Sequence, residues 1–238
     1  MRLTARQRAS WLAHLFKAAT QQHHGELRAL FAPYVDGSAV VVDIGAHAGQ
    51  FSKLFARMAP LGHVYAFEPA QYARSVMAPA LRLSGLTNVT LIAKGLSDAP
   101  GEMTLHTPLK RSGSMGFGIA HLGRRDEPGP TVEQSVEVTT LDTFASAQGL
   151  ARLDFIKADV EGWELRALKG GEECLRRFAP ALFLEVDASF LARAGDTPGA
   201  LFEWLAALGY GAVRVPGLGP APTYAGAGDY LFTHAEKP

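Results

Sequence analysis

The chain has 238 residues, 47% of them hydrophobic and 19% charged, and its 23 basic and 23 acidic side chains cancel to a formal net charge of zero. This composition is typical of one soluble globular domain, and the neutral charge disfavours a nucleic-acid or anionic-membrane partner. The single cysteine, Cys174, excludes an internal disulfide and a cysteine-based zinc site. No apolar run approaches the ~20 residues that span a bilayer, and no uninterrupted apolar core follows the charged start. We therefore expect a cytoplasmic protein without a signal peptide.

Residues 1–34 are predicted to form an N-terminal helical cap. Apolar side chains recur at helical spacing over residues 4–31, which predicts one or two amphipathic helices before Pro33. A packing cap is favoured over a lid that closes a ligand cleft, because no chemistry-bearing cluster lies here. His14, His23 and His24 have no carboxylate at metal-ligand spacing, so metal binding is not expected.

From residue 39 onward, strand and helix patterns alternate. Strands are predicted at 39–44, 63–68, about 88–94, 155–158, 181–186, near 210–215 and at 229–233, and helices at 49–58, 70–84, near 162–169 and at about 198–208. This alternation predicts an α/β fold over residues 35–238, with a doubly wound, mostly parallel seven-stranded sheet and helices on both faces. A Gly/Pro-rich link at 216–228 predicts that the last two strands form an antiparallel hairpin at the sheet edge.

A loop insertion at about 107–135 interrupts the alternation. It is rich in Gly and Pro and carries Lys110, Arg111, Arg124 and Arg125. Strands at about 102–106 and 136–139 are predicted to flank it as a hairpin. A connection of this length is either functional or simply solvated, and the two interpretations are equally favoured. In the functional case its basic side chains contact an anionic substrate and the loop is mobile before the substrate binds.

The stretch 40–51 predicts a buried strand, a tight glycine turn and a helix start. Gly45 allows a sharp turn, and Gly49 allows the backbone to approach a ligand. Glu68 closes the second predicted strand, where an acid suits the two hydroxyls of a ribose. A tight turn without a ligand is the alternative for the loop alone, but the two features together favour a nucleotide site.

Acidic residues follow most of the predicted strands, so they are expected to meet at one edge of the sheet. They are Asp43, Glu68, Asp98, Asp159, Glu161, Glu185 and Asp187. The sequence lacks the Gly-Lys-Ser/Thr of a P-loop and a Gly-x-Ser-x-Gly elbow, which disfavours nucleoside triphosphate hydrolysis and serine hydrolysis. A nicotinamide-dependent enzyme remains open.

A doubly wound sheet that ends in an antiparallel hairpin is the layout of class I methyltransferases, which use S-adenosylmethionine. The segment Lys157-Ala158-Asp159-Val160-Glu161-Gly162-Trp163-Glu164, together with residues 42–49, 67–69, 168–170 and 184–186, resembles the FkbM-type methyltransferases. That family acts mainly on oxygen. The resemblance runs from about residue 39 to 233, and the N-terminal helices and the 107–135 loop lie outside its signature.

The resemblance implies a cofactor site. Gly45, Ala46 and Gly49 would face the methionine part, with Asp43 organising the turn and Glu68 holding the ribose hydroxyls. Ser97 and Asp98 would lie near the adenine, and Asp159 beside the sulfonium and the acceptor. The implied cofactor-binding set is Asp43, Gly45, Ala46, His47, Gly49, Glu68, Ser97, Asp98 and Asp159.

An acceptor hydroxyl must also lose its proton. Asp159 and Glu161 are the predicted catalytic residues, and His47 and Glu185 are further candidate bases. Alternatively, Asp159 and Glu185, with Glu161, hold Mg²⁺. The structural alternatives are that Glu161 caps the next helix and that Glu185 pairs with Lys157, while Trp163 packs in the core.

The sequence therefore predicts an S-adenosylmethionine-dependent O-methyltransferase that acts on a small-molecule hydroxyl, such as that of a sugar or a natural-product intermediate. No Asn-Pro-Pro-Tyr motif is present, and the neutral charge also disfavours a nucleic-acid substrate. A nicotinamide-dependent oxidoreductase and a non-catalytic cofactor-binding protein are the alternatives.

Overall fold

The computed structural model describes residues 5–108, 120–122, 129–217 and 219–235. The strands are β1 (Val40–Ile44), β2 (His63–Phe67), β3 (Val89–Ile92), β4 (Gly95–Leu96), β5 (Gly101–Pro108), β6 (Thr131–Thr139), β7 (Phe155–Ala158), β8 (Ala181–Val186), β9 (Tyr210–Val215) and β10 (Gly228–His234). The helices are α1 (Ala5–Thr20), α2 (Arg28–Phe31), α3 (Gln50–Met58), α4 (Gln71–Leu83), α5 (Leu141–Gln148), α6 (Glu164–Lys169), α7 (Glu172–Phe178), α8 (Ala188–Leu191) and α9 (Pro198–Ala207).

Seven strands form the main sheet, in the order β3-β2-β1-β7-β8-β10-β9. All of them are parallel except β10, which runs antiparallel to both β8 and β9. Strand order reverses between β1 and β7, and this is the position where open α/β sheets bind ligands. The predicted doubly wound sheet and its closing antiparallel hairpin are confirmed.

A second, three-stranded sheet has the order β4-β6-β5. Its β5 and β6 pair antiparallel over eight residues each, which lengthens the hairpin predicted at 102–106 and 136–139. Most of the predicted 107–135 loop, at 109–119 and 123–128, lies outside the described residues. Its mobility and the contacts of its basic side chains therefore stay predictions.

Three helices that the sequence did not predict are α5, α7 and α8. Helix α5 begins after Thr140, whose side-chain oxygen accepts a hydrogen bond from the backbone N–H of Thr143. This Thr N-cap, and the acids in the first turns of α5 and α7, are helix-start signals. However, α5 has only eight residues, α7 seven and α8 four. Such short helices show too few turns for their apolar spacing to stand out.

Apolar packing on both faces stabilises the main sheet. On one face, rings from α2, α3, β7 and β8 pack together: Phe31, Phe55, Phe155 and Phe183. Helix α1 instead packs against α4, where Trp11 Nε1 donates to Ser75 Oγ and His14 Nδ1 lies 3.0 Å from Tyr72 Oη. No helix within the described ranges is long and apolar enough to cross a membrane. The division of the chain at residue 34 stays a prediction.

Candidate active site

A cleft opens at the carboxyl ends of the strands, beside the reversal between β1 and β7. It is lined by the β1–α3 loop, by the segment after β2, by Leu96 of β4 and by the β7–α6 segment. The polar or ionisable side chains at its wall are His24, His47, Gln50, Glu68, His121, Lys157, Asp159 and Glu161. Its apolar side chains include Phe51, Leu96, Leu105, Leu122 and Trp163.

The β1–α3 loop turns through three left-handed residues, Gly45 (φ 74°), His47 (φ 51°) and Gly49 (φ 79°). A Cβ at Gly45 would lie 2.1 Å from the backbone oxygen of Asp159, so only glycine fits there. A Cβ at Gly49 would contact Met77 of α4 at 2.9 Å. Gly49 thus allows close packing against α4, and its close approach to a ligand stays a prediction.

Glu68 is 7% exposed and lies directly after β2. Its carboxylate accepts hydrogen bonds from the backbone N–H groups of His47 (2.8 Å) and Ala70 (2.7 Å). Burial raises the pKa of Glu68 to about 7, and these two bonds oppose the rise. Each carboxylate oxygen keeps a second lone pair that can accept from a ligand hydroxyl.

Beneath the loop lies a buried charge network around Lys157 of β7. Its Nζ is 3.5 Å from Asp43 Oδ1 and 3.5 Å from Asp159 Oδ2, and it donates to the backbone oxygen of Gly45 at 2.9 Å. Asp43 is fully buried and accepts a hydrogen bond from Ser52 Oγ in the first turn of α3. Asp43 therefore contacts the start of α3 from below and does not line the cleft.

Asp159, Glu161 and Glu185 come together, with one carboxylate oxygen of each within 4.8 Å of the others. Burial favours a raised pKa for Asp159, but the charge of Lys157 and a hydrogen bond from Glu185 outweigh it, so the pKa is lowered. Burial and the charge of Asp159 raise the pKa of Glu185 to about 8. The opposite shifts of the two pKa values favour a proton on Glu185 that is hydrogen-bonded to the ionised Asp159.

Glu161 does not cap the helix that follows it, contrary to the structural alternative above. The residue that supports this turn is Glu164, whose Oε1 accepts from the backbone N–H groups of Val160 and Gly162. Glu161 is instead held at φ 54° and lines the cleft, with its Oε2 4.0 Å from Arg193 Nη1. Burial, with the charge of Asp159, raises the pKa of Glu161 to about 7.

The structure also does not contain the Lys157–Glu185 pair that was the structural alternative for Glu185. Lys157 instead pairs with Asp43 and with Asp159. Glu185 forms a hydrogen bond with Asp159. Strand β8 lies beside β7 with Leu184 opposite Ala158, so the next residues along, Glu185 and Asp159, lie side by side.

Ser97 and Asp98 lie next to the cleft rather than in its wall. Ser97 Oγ accepts from Trp163 Nε1 (3.1 Å) and donates to Asp98 Oδ1 (3.0 Å). Asp98 in turn pairs with Arg166 at 3.2 Å. Their contact with adenine stays a prediction, and Leu96 is the neighbouring residue that reaches the cleft.

The residues of the cleft wall that were not singled out as site residues from the sequence include His24, Gln50, Phe51 and His121. His24 was dismissed because it has no metal-ligand spacing. Its proximity to the cleft depends on a contact between the N-terminal segment and α3, which periodicity does not reveal.

Comparison with known proteins identifies the family. The sequence model of the methyltransferase FkbM domain matches residues 43–211. Methyltransferase sdnD of Sordaria araneosa is 32% identical over 157 residues, 56% of this chain and 60% of that protein. The 2-O-methyltransferase NoeI of Sinorhizobium fredii (strain NBRC 101917 / NGR234) is 30% identical over 155 residues, 58% of this chain and 59% of that protein. The matches thus span about 60% of the length of these relatives.

Two solved structures share the fold. The methyltransferase FkbM from Methylobacillus flagellatus KT superposes with a TM-score of 0.53 at 15% identity, covering 94% of this chain and 58% of that one. The O-methyltransferase from Bacillus cereus, solved in complex with SAH, has a TM-score of 0.52 at 12% identity, covering 98% and 91%. Since the family model also spans well over half of the sequence, this chain belongs to the FkbM methyltransferase domain family.

Proposed function

We propose that this protein is an S-adenosylmethionine-dependent O-methyltransferase and that its acceptor is a hydroxyl of a small molecule, such as a sugar or a natural-product intermediate. The family and the name of the relative NoeI support transfer to oxygen. The same comparisons do not favour a nicotinamide-dependent oxidoreductase.

The observation that carries the proposal is the position of Glu68. Its carboxylate closes β2, is held by backbone N–H groups of the loop after β1, and faces the cleft. An acid at this position suits two vicinal ribose hydroxyls. Leu96, Pro69 and Ala70 line the adjoining wall and fit the adenine. The residues present therefore fit S-adenosylmethionine.

The bound cofactor would supply a methyl group that is already activated by its attachment to a sulfonium. The chain must then position an acceptor oxygen and exclude water, which accounts for much of the rate increase in such reactions. Asp159 stays ionised beside Lys157, so it favours positive charge at the reacting end of the cleft.

Glu161 is the proposed proton acceptor. A general base is most effective when its pKa lies near the working pH, and the pKa of Glu161 is raised to about 7. The lowered pKa of Asp159 makes that residue a weaker base. His47 and Glu185 stay further candidates, but the raised pKa of Glu185 favours its protonated form, which is not a base.

Mg²⁺ stays a further proposal for the cluster of Asp159, Glu161 and Glu185, in which one carboxylate oxygen of each residue lies within 4.8 Å of the others. Binding a hard cation requires deprotonated carboxylates, so the ion would compete with the proton that Glu185 binds with a pKa of about 8. The Lys157 ammonium, 3.5 Å from Asp159, already balances part of the negative charge. These two features weigh against a metal, and Glu161 is therefore the base that we propose.

The decisive experiment is calorimetric titration with S-adenosylhomocysteine and, in parallel, NAD. We expect micromolar binding of the first and none of the second. Glu68→Gln is expected to weaken S-adenosylhomocysteine by roughly tenfold through loss of a charged acceptor, whereas Glu203→Gln, on the exposed face of α9, should not. Binding of NAD alone would overturn the proposal.

A further inference from the structure

The segment between α1 and the first 3-10 turn, residues 21–24, is fastened to α3 although it lies outside the matched family domain. We refer to residues 21–24 as the connector. Its hydrogen bonds to α3 run from Gln22 Nε2 to Gln50 O (3.1 Å), from His23 N to Gln50 Oε1 (3.2 Å), from Lys53 Nζ to Gln21 O (2.8 Å), and from Arg57 Nη1 to Gln22 Oε1. The connector is therefore held on the helix that follows the glycine loop.

His24 ends the connector and lines the cleft. It has a left-handed backbone (φ 62°, ψ 17°), which is uncommon for a residue other than glycine. Its ring stacks on Phe51 of α3 with centroids 4.3 Å apart and planes 11° apart. The Lys157 ammonium lies 5.2 Å from the centroid of the same Phe51 ring. Stacking and backbone together hold the imidazole on the side of the cleft formed by β1 and β7.

The surroundings of His24 lower the pKa of its ring below the ordinary value of 6.5 and so favour the neutral imidazole. Burial is the largest effect and lowers its pKa, and His23 and Lys157 act in the same direction. Glu26 and Asp159 oppose it. A neutral imidazole presents one N–H donor and one acceptor nitrogen.

The position of Glu68 sets the direction of the cofactor in the cleft. Glu68 follows β2, and Leu96 lies beyond β3 in the chain, so the nucleoside is placed over the β2 side of the reversal. The amino-acid end then lies over β1 and β7, where His24, Asp159 and Lys157 are found. That end carries a carboxylate and an ammonium group.

We propose that His24 binds the amino-acid end of S-adenosylmethionine, donating an imidazole N–H to the α-carboxylate while ionised Asp159 pairs with the α-ammonium. This assignment rests on the proposed function and extends the cofactor site to a residue outside the matched domain. His24 is then a cofactor-binding residue that the N-terminal segment contributes.

The test compares two ligands that differ only at that end. S-adenosylhomocysteine carries the amino acid, whereas 5′-methylthioadenosine keeps the nucleoside and thioether without it. Calorimetry gives the Kd of both for the wild type, His24→Gly and His23→Ala. Glycine accepts the left-handed backbone of residue 24, and His23 is an exposed neighbour outside the cleft wall.

We expect His24→Gly to raise the Kd of S-adenosylhomocysteine by roughly tenfold and to leave that of 5′-methylthioadenosine unchanged, since a hydrogen bond to a charged group is lost. His23→Ala should change neither. Equal losses for both ligands, or no loss for either, would overturn the assignment. If His24→Gly does not fold, His24→Ala, whose side chain has no hydrogen-bond donor, takes its place in the same comparison. A wild-type protein that binds neither ligand contradicts the proposed function itself.

Discussion

Lys157 is the cation on which the charges beneath the cleft depend. Burial alone would lower its pKa, but the charges of Asp159 and Asp43 outweigh burial and raise it. The side chain is 3% exposed and that of Asp43 is fully buried, so the low dielectric strengthens their attraction. Removing one partner of such a pair leaves the other charge buried and uncompensated.

We expect Lys157→Met to lower the free energy of unfolding by about 3–5 kcal/mol, the usual cost of breaking a buried ion pair. Urea denaturation measures this loss. Lys94→Met is the matched control, because its pair with Glu137 is exposed on both sides and such pairs contribute about 1 kcal/mol or less. Similar losses in the two variants would contradict the role given to Lys157.

The sequence predicted the acids of the site better than its other members. Glu68 and Asp159 could be placed because each follows a parallel strand, and such strands end at one edge of the sheet. Asp43 was also expected in the site, but it lies within β1 and below the cleft. His24 could not be placed, since its position depends on a left-handed turn and on hydrogen bonds to α3. Gly49 could be recognised as a turn residue, but the sequence does not reveal that it faces Met77.

The elements of the main sheet follow directly from local patterns. The sequences of β1, β7 and β8 are almost entirely apolar. Both faces of these strands are buried, which is typical of parallel sheets. The second sheet was predicted only as a hairpin. Its β4 has two residues, too few for an alternation to show.

Lys53, a buried side chain of α3, contacts the C-terminal end of α1. Its ammonium donates to the backbone oxygens of Ala18, in the last turn of α1, and of Gln21, just after the helix. The last carbonyls of a helix have no partner within the helix, so this ammonium supplies one. Lys53 is 1% exposed, and burial lowers its pKa to about 8. Its charge is costly to bury, so the global gain from this contact is small.

We expect Lys53→Met to loosen α1 with little change in global stability, because the variant loses two hydrogen bonds but also a buried charge. Hydrogen exchange of the α1 amides should accelerate about tenfold or more, while the β1 amides stay protected. Lys17→Met, at an exposed position of α1, is the control. Unchanged exchange in α1 would show that its contacts with α4 are sufficient.

The folded chain brings buried and half-buried acids together at one edge of the sheet. The pKa values of Glu68, Glu161 and Glu164 are raised to about 7 and that of Glu185 to about 8, in each case chiefly by burial. Glu68 follows β2, Glu161 and Glu164 follow β7, and Glu185 lies near the end of β8, so only the assembled sheet brings them together. The sequence could not predict these pKa values, because a formal net charge counts every acid as ionised and carries no information about burial.

This edge makes stability depend on pH. Each of the four glutamates has a folded-state pKa above the ordinary value of 4.5, so the folded protein holds protons that the unfolded chain has already released. Their contribution is fully present below that ordinary value and is lost as the pH rises through about 7 to 8. We therefore expect the free energy of unfolding to fall between pH 6.5 and 8.5, by about 1.4 kcal/mol per pH unit for each excess proton.

Urea denaturation across this range measures the slope. Glu164→Gln should reduce it, because glutamine mimics the protonated acid and keeps an oxygen for the N–H groups of Val160 and Gly162. Glu203→Gln should leave it unchanged, since that side chain is exposed on α9. The lowered pKa of Lys53 acts in the opposite direction, but only above about 8. A flat or rising profile between pH 6.5 and 8 would mean that these acids are ionised in the folded protein, and Glu185 could then not share a proton with Asp159.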